Sequence, residues 1–335
     1  MRAAVIHAQR PVEDRPVRLE ERAPPDPGAG EVRVRVRACG VCHTDLHIAE
    51  GDLRARRLPI VPGHQIVGIV DRIGSGVDRA MLGRRVGVTW LAGTDGTCQA
   101  CRRGEENLCP NAQFTGYDRD GGFADYAVAR ADFVVAVPDA FDDEAAAPLL
   151  CAGVIGYRAL RVAGVRPGEL IGFYGFGASA HLAVQLARHM GCEAAVVTRG
   201  AAHRALAEAL GARWVGEPGS HPPRPLDRAI VFAPAGAVVR EALAALRPGG
   251  TVAINAVAMD GLPAMPYEIL YGERVLRTVS NLTRADAAAY LPLAAEVPLR
   301  VEHDVFPLEA ANDVLLQVKR RTIRAAAVLR ITSST

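Results

Sequence analysis

The apolar run Leu170-Ile-Gly-Phe-Tyr174, followed at once by Gly175-Phe-Gly177-Ala-Ser-Ala180 and a helical pattern, limits the fold more than any other feature of this sequence. A short strand, a glycine turn and a helix opening directly from it make the first half of a βαβ unit, and such units assemble into parallel sheets covered by helices. The pattern repeats. Leu182, Leu186 and Met190 share one face of a helix predicted over 179–190, Gly191 stops it, and residues 194–197 read as the next strand. A helix over 203–210 ending at Gly211, a strand over 229–232, a helix over 238–246 and a strand over 251–254 extend it into a doubly wound α/β domain.

Before about residue 130 the pattern is different. Alternation such as Glu31-Val-Arg-Val-Arg-Val-Arg37, with turn residues every ten or so positions, predicts a mostly β domain. The chain has 335 residues, room for two domains at roughly 150 residues each, and a strand over 325–331 closes it. The expected division is 1–150, 151–285, and a C-terminal segment 286–335 that returns to the first domain.

Charge excludes several functions. Lys+Arg 39 against Asp+Glu 37 leaves +2 without blocks of one sign, so no nucleic-acid or membrane-surface footprint is present. Lys319 is the one lysine. A Gly-Lys-Ser phosphate loop is absent, and the Tyr-x-x-x-Lys pair of short-chain reductases is excluded because Leu315 stands four residues before it. The start, MRAAVIHAQR, lacks the apolar stretch of a secretion signal, and no apolar run approaches ~18 residues, so a cytoplasmic location is expected. Seven cysteines, an odd number in such a chain, suit metal binding or burial better than a disulfide framework.

Three groups of residues carry chemistry. In the glycine turn, Gly175 permits the bend, Gly177 lets the backbone approach a pyrophosphate, and Ala180 replaces the usual third glycine, which predicts dinucleotide binding at a helix N-terminus. The next strand ends Val197-Thr198-Arg199 with no acid within four residues; a missing carboxylate and an arginine placed to pair with a 2′-phosphate predict NADP(H). Asp95, Cys98, Cys101 and Cys109 crowd one short loop at spacing suited to a structural zinc, with Asp95 as a hard oxygen fourth ligand. Cys-x-x-Cys alone is also compatible with redox activity. Cys42, His64 and Cys151 are scattered, and spacing does not unite them. Single histidines such as His181, His189 and His221 are expected at helix or loop surfaces, and Cys192 in packing.

The sequence resembles the zinc-dependent alcohol dehydrogenases of the medium-chain dehydrogenase/reductase superfamily across nearly its whole length. Cys39-Gly-Val-Cys-His-Thr-Asp45, Pro62-Gly-His64, the 98–109 lobe with Glu106-Asn-Leu-Cys-Pro, Gly121-Gly-Phe-Ala-Asp-Tyr and Cys151-Ala-Gly occur in that family's order. The resemblance implies a GroES-like β domain plus a Rossmann domain. It also implies that Cys42, His64 and Cys151 hold a catalytic zinc, so that with the loop site there are two zincs per chain. By the same resemblance Thr44 is expected to take the substrate proton and His47 to pass it on, Asp45 to orient the ligand histidine, and His43 to contact the cofactor pyrophosphate. Trp90 matches an aromatic wall of the alcohol pocket. The sequence departs from the family at Gln65, commonly Glu, at Asp95, commonly Cys, and at Ile155, often Thr. Leu53, where small-alcohol enzymes often carry Trp, implies a wider pocket.

The implied activity is hydride transfer between NADP(H) and a primary alcohol or aldehyde, with a small-molecule substrate and a homo-oligomer, dimer or tetramer. Two other readings compete: a zinc-free quinone or enoyl reductase of the same superfamily, which lacks the three ligands, and a nonenzymatic zinc and NADPH-binding sensor, which has no use for Thr44 and His47.

Overall fold

The computed structural model describes residues 1–297 and 299–331, so the last four residues of the expected C-terminal segment lie outside the described residues. The chain divides into two compact units. One gathers Met1–Cys151, Asn281–Ala295 and the chain from Glu302 onward; the other gathers Ala152–Ser280 and Glu296–Val301.

In the first unit the long strand Glu31–Val41 organises a seven-stranded sheet. It pairs antiparallel with Gln65–Ile73, with Tyr126–Arg130 and with the C-terminal strand Ala326–Arg330, whose residues Ala327 to Arg330 lie opposite Val41 to Ala38. Its alternation is satisfied as the sequence implies. Val32, Val34 and Val36 are buried in the core, while Arg33 on the other face grips Asp71 through two hydrogen bonds of 2.9 and 2.8 Å.

The second unit is a six-stranded parallel sheet in the order Trp214–Gly216, Glu193–Val197, Leu170–Tyr174, Leu226–Val231, Leu246–Ile254, Val275–Thr278. The order reverses between Leu170–Tyr174 and Leu226–Val231, which puts the glycine turn after Tyr174 at the switch point of a Rossmann sheet. Gly175 has φ +90°, and a Cβ there would lie 3.0 Å from the Ala233 nitrogen, so glycine alone fits.

One expectation is corrected. His181 is fully buried in the helix Ala178–His189, because this stretch is enclosed on nearly every side: Ala180, Leu182, Ala183 and Val184 are fully buried with it. A continuous helical run over Asp143–Ala163 passes the test of length and composition for a membrane span, but Asp143, Glu144, Arg158 and Arg161 interrupt its apolar residues and 61% of its most apolar window is buried inside the protein, as in a core helix.

Candidate active site and metal centres

The helix His43–Glu50 begins at Cys42, whose extended backbone leaves its side chain free to cap the first turn. Cys42 Sγ accepts from the Thr44 N–H at 3.3 Å, while Asp45 Oδ2 accepts from the Cys42 N–H at 2.9 Å. This reciprocal cap fixes the sulfur at the positive end of the helix, where a thiolate is favoured. The other oxygen of Asp45 accepts from the Gly63 N–H at 3.0 Å and faces His64 Nδ1 at 3.4 Å, so one buried carboxylate aligns both Cys42 and His64. Cys151 comes from a π-helical turn, Leu149–Gly153, inserted between two α-helical stretches.

The sulfurs of Cys42 and Cys151 and a ring nitrogen of His64 lie within 4.8 Å of one another. A hydrogen bond from the Cys151 thiol, with the His64 ring, holds the Cys42 thiol well below its ordinary value against the effect of burial; that hydrogen bond and burial push Cys151 well above it. Burial opposes protonation of His64, yet Cys42 and Asp45 together raise it to about 10. These are protons a divalent cation would displace, and two thiolates with one imidazole suit zinc, leaving one tetrahedral position open. Trp90 stands edge-on to the His64 ring at 5.0 Å and stacks on Phe114 and Tyr117. Gln65 is 2% exposed and its amide nitrogen has no hydrogen-bond partner among the described residues; it lies over Gly40, where a Cβ would meet its Oε1 at 2.6 Å.

Thr44 and His47 are half-buried on the same helix, and His43 is exposed. Sequence reasoning missed Asp52, just beyond the helix C-cap Gly51. His47 Nδ1 lies 2.9 Å from Asp52 Oδ2, and because a carboxylate only accepts, Nδ1 carries the proton and Nε2 is left to receive one.

The second cluster brings Asp95, Cys98, Cys101 and Cys109 within 4.8 Å. Asp95 Oδ1 accepts from the N–H groups of Thr97 and Cys98, each at 2.9 Å; Oδ2 accepts from Asn111 Nδ2 at 2.9 Å and from the Cys109 thiol at 3.3 Å. The Cys98 N–H, Asn111 and the Thr97 N–H hold this carboxyl far below the usual range, so it is always an anion at physiological pH. Asn111 carries no sequence signal. Glu106, buried between the cysteines, receives the Arg284 backbone N–H at 2.6 Å and its guanidinium at 2.8 Å, tying this lobe to the helix Arg284–Glu296.

In the second unit Gly177 precedes the helix Ala178–His189 with no side-chain cap, which leaves its first N–H groups available to a pyrophosphate, and Ala180 is fully buried. Thr198 is buried at the end of its strand and Arg199 is exposed. The structure adds Arg204. Its Nη1 donates to the carbonyls of Thr198 and Arg199 at 3.3 and 2.7 Å, and its Nη2 lies 2.9 Å from Glu217.

Comparison with known proteins agrees with this architecture. Residues 28–139 match the alcohol dehydrogenase GroES-like domain, and residues 180–296 match the zinc-binding dehydrogenase family. The chain is 43% identical to a probable alcohol dehydrogenase, AdhA, of Mycobacterium tuberculosis, over 99% of this chain and 97% of that protein. It is 37% identical to an alcohol dehydrogenase of Geobacillus stearothermophilus, over 99% and 100% of the two chains. Among solved structures it resembles a cinnamyl alcohol dehydrogenase from Sorghum bicolor, with 29% identity, a TM-score of 0.88, and coverage of 98% and 97%. The chain belongs to the medium-chain alcohol dehydrogenase family and is an oxidoreductase with a GroES-like and a Rossmann domain.

Proposed function

We propose that this protein is a zinc-dependent alcohol dehydrogenase, or aldehyde reductase in the reverse direction, that transfers hydride between NADP(H) and a primary alcohol or aldehyde in the cytoplasm. The observation that carries the reading is the convergence of Cys42, His64 and Cys151 within 4.8 Å, on a buried carboxylate that orients two of them. When bound, zinc supplies Lewis acidity toward the substrate oxygen and the nicotinamide exchanges the hydride.

The chain's own residues handle the proton. Thr44 takes it from the alcohol, and His47, with Nδ1 occupied by Asp52, carries it toward solvent on Nε2. Trp90, held by Phe114 and Tyr117, gives the substrate side an apolar wall, and Leu53 in place of a larger ring leaves space for medium-length chains. Cys98, Cys101, Cys109 and Asp95 suit a second, structural zinc. Within the second unit Gly175, Gly177 and Ala180 are assigned to the pyrophosphate and Thr198 and Arg199 to the 2′-phosphate, and in the first unit His43 is assigned a cofactor contact.

Self-association is supported by the edge strand Val275–Thr278, which among the described residues pairs with Leu246–Ile254 alone, and by the exposed apolar side chains Val257, Leu262, Tyr267 and Tyr271. Sedimentation should give a mass at least twice that of the chain; a monomer at micromolar concentration removes this part of the proposal.

The retained ligand triad counts against a zinc-free quinone or enoyl reductase, and the His47–Asp52 pair against a sensor without turnover. The test is the rate of NADPH oxidation with medium-chain aldehydes. Wild type should turn over, and Thr44→Val should lose about 10²-fold or more in kcat with zinc content unchanged. Equal rates in the two proteins would remove the proton relay.

A further inference from the structure

The strand Glu193–Val197 ends without an acid in its own sequence, but the sheet supplies one. Trp214–Gly216 pairs in parallel with that strand, and the Thr198 N–H donates to the Gly216 carbonyl at 3.0 Å. Glu217, the next residue, is thereby carried alongside Thr198 and Arg199. Its carboxylate lies 2.9 Å from Arg204 Nη2, while Nη1 of that same guanidinium donates to the Thr198 and Arg199 carbonyls. One arginine therefore separates an anion from the strand end at which a 2′-phosphate is read.

We infer that Glu217 and Arg204 set the degree of preference for a 2′-phosphorylated cofactor: Glu217 repels the phosphate, and Arg204 offsets that repulsion while fixing the backbone that presents Arg199. The inference rests on the assignment of the cofactor site above. Glu217 acts by charge across a short distance in place of an acid on the strand itself, and Arg204 is a positioning residue. The carboxylate is 65% exposed and Arg204 24%, so the interaction is partly screened by solvent and the expected effects are modest. Neither side chain belongs to the sheet's core, so both can be substituted without unfolding it.

The experiment measures dissociation constants of the intact protein for adenosine 2′,5′-bisphosphate and for 5′-AMP, by calorimetry, and takes their ratio as the preference. Glu217→Gln should raise the preference about 2- to 5-fold, leave 5′-AMP binding unchanged, and lose most of its effect at 0.5 M salt. Arg204→Met should lower the preference, and adding Glu217→Gln to it should restore more than Glu217→Gln gains alone, because the bare carboxylate is then removed. A preference unchanged by Glu217→Gln overturns the inference whatever the wild-type value is. So does an Arg204→Met loss of the same size with and without Glu217, which would make Arg204 a direct phosphate ligand instead. A wild-type preference near one, by contrast, overturns the NADP assignment and is read from the unmodified protein alone.

Discussion

At the scale of single residues, the site turns on carboxylates that hold other groups in place. Asp45 aligns Cys42 and His64, Asp52 fixes the tautomer of His47, and Asp95 knits a cysteine loop through four donors. Asp52→Asn tests the second of these. Loss of the anion leaves the His47 ring free to rotate and to exchange tautomers, so kcat should fall roughly 10-fold near neutral pH with KM within about 2-fold, and Asp52→Glu should recover most of the rate. Equal losses in the Asn and Glu variants, or a change confined to KM, would show that Asp52 only packs. Residue types at the metal sites were legible in the sequence because cysteine and histidine are chemically distinctive. The union of Cys42, His64 and Cys151 came from family resemblance alone, since residues so far apart meet only through tertiary structure. Asp52, Asn111 and Glu217 were invisible because an acid or amide near a turn is ordinary.

At the scale of elements, strongly periodic segments were read well and edges were not. The strand Leu170–Tyr174 was read at its observed limits, whereas Trp214–Gly216 and Val275–Thr278, both at the margins of the sheet, are too short to carry periodicity. Leu246, expected to end a helix, begins a strand, and the helix before it stops at Ala244. The parallel sheet also contains a titratable joint. Asp227 accepts from Arg247 Nε at 2.6 Å and from the Leu170 N–H at 2.8 Å, linking two neighbouring elements. Burial would raise its carboxyl, but Arg247 and the Leu170 N–H hold it below the ordinary aspartate value. A lowered folded value means that the stabilisation is complete above the unfolded value of about 4 and is lost as pH falls through the folded one. Asp227→Asn should therefore destabilise by about 1–2 kcal/mol at pH 7, and the gap from wild type should shrink toward zero as pH drops below about 4. Urea unfolding at pH 7 and at successively lower pH checks this; a gap that is constant with pH would assign the effect to packing.

At the scale of the molecule, the change of hydrophobic pattern after residue 130 marked the passage from an antiparallel to a parallel sheet. Both candidate metal sites lie in the first of the two units, and the glycine turn with Arg199, Arg204 and Glu217 lies in the second. Zinc in the Asp95 loop would act on folding and zinc at Cys42 on chemistry, so removal of one should be separable from removal of the other. The most direct test is metal content and NADPH-dependent turnover measured together in wild type and Cys42→Ser, each purified with zinc. Wild type should hold two zincs per chain and the variant one, with a loss of turnover of about 10³-fold or more and a nearly unchanged unfolding midpoint. Turnover of wild-type size in a variant that has lost one zinc, or an active wild type containing none, would contradict the zinc dependence of turnover.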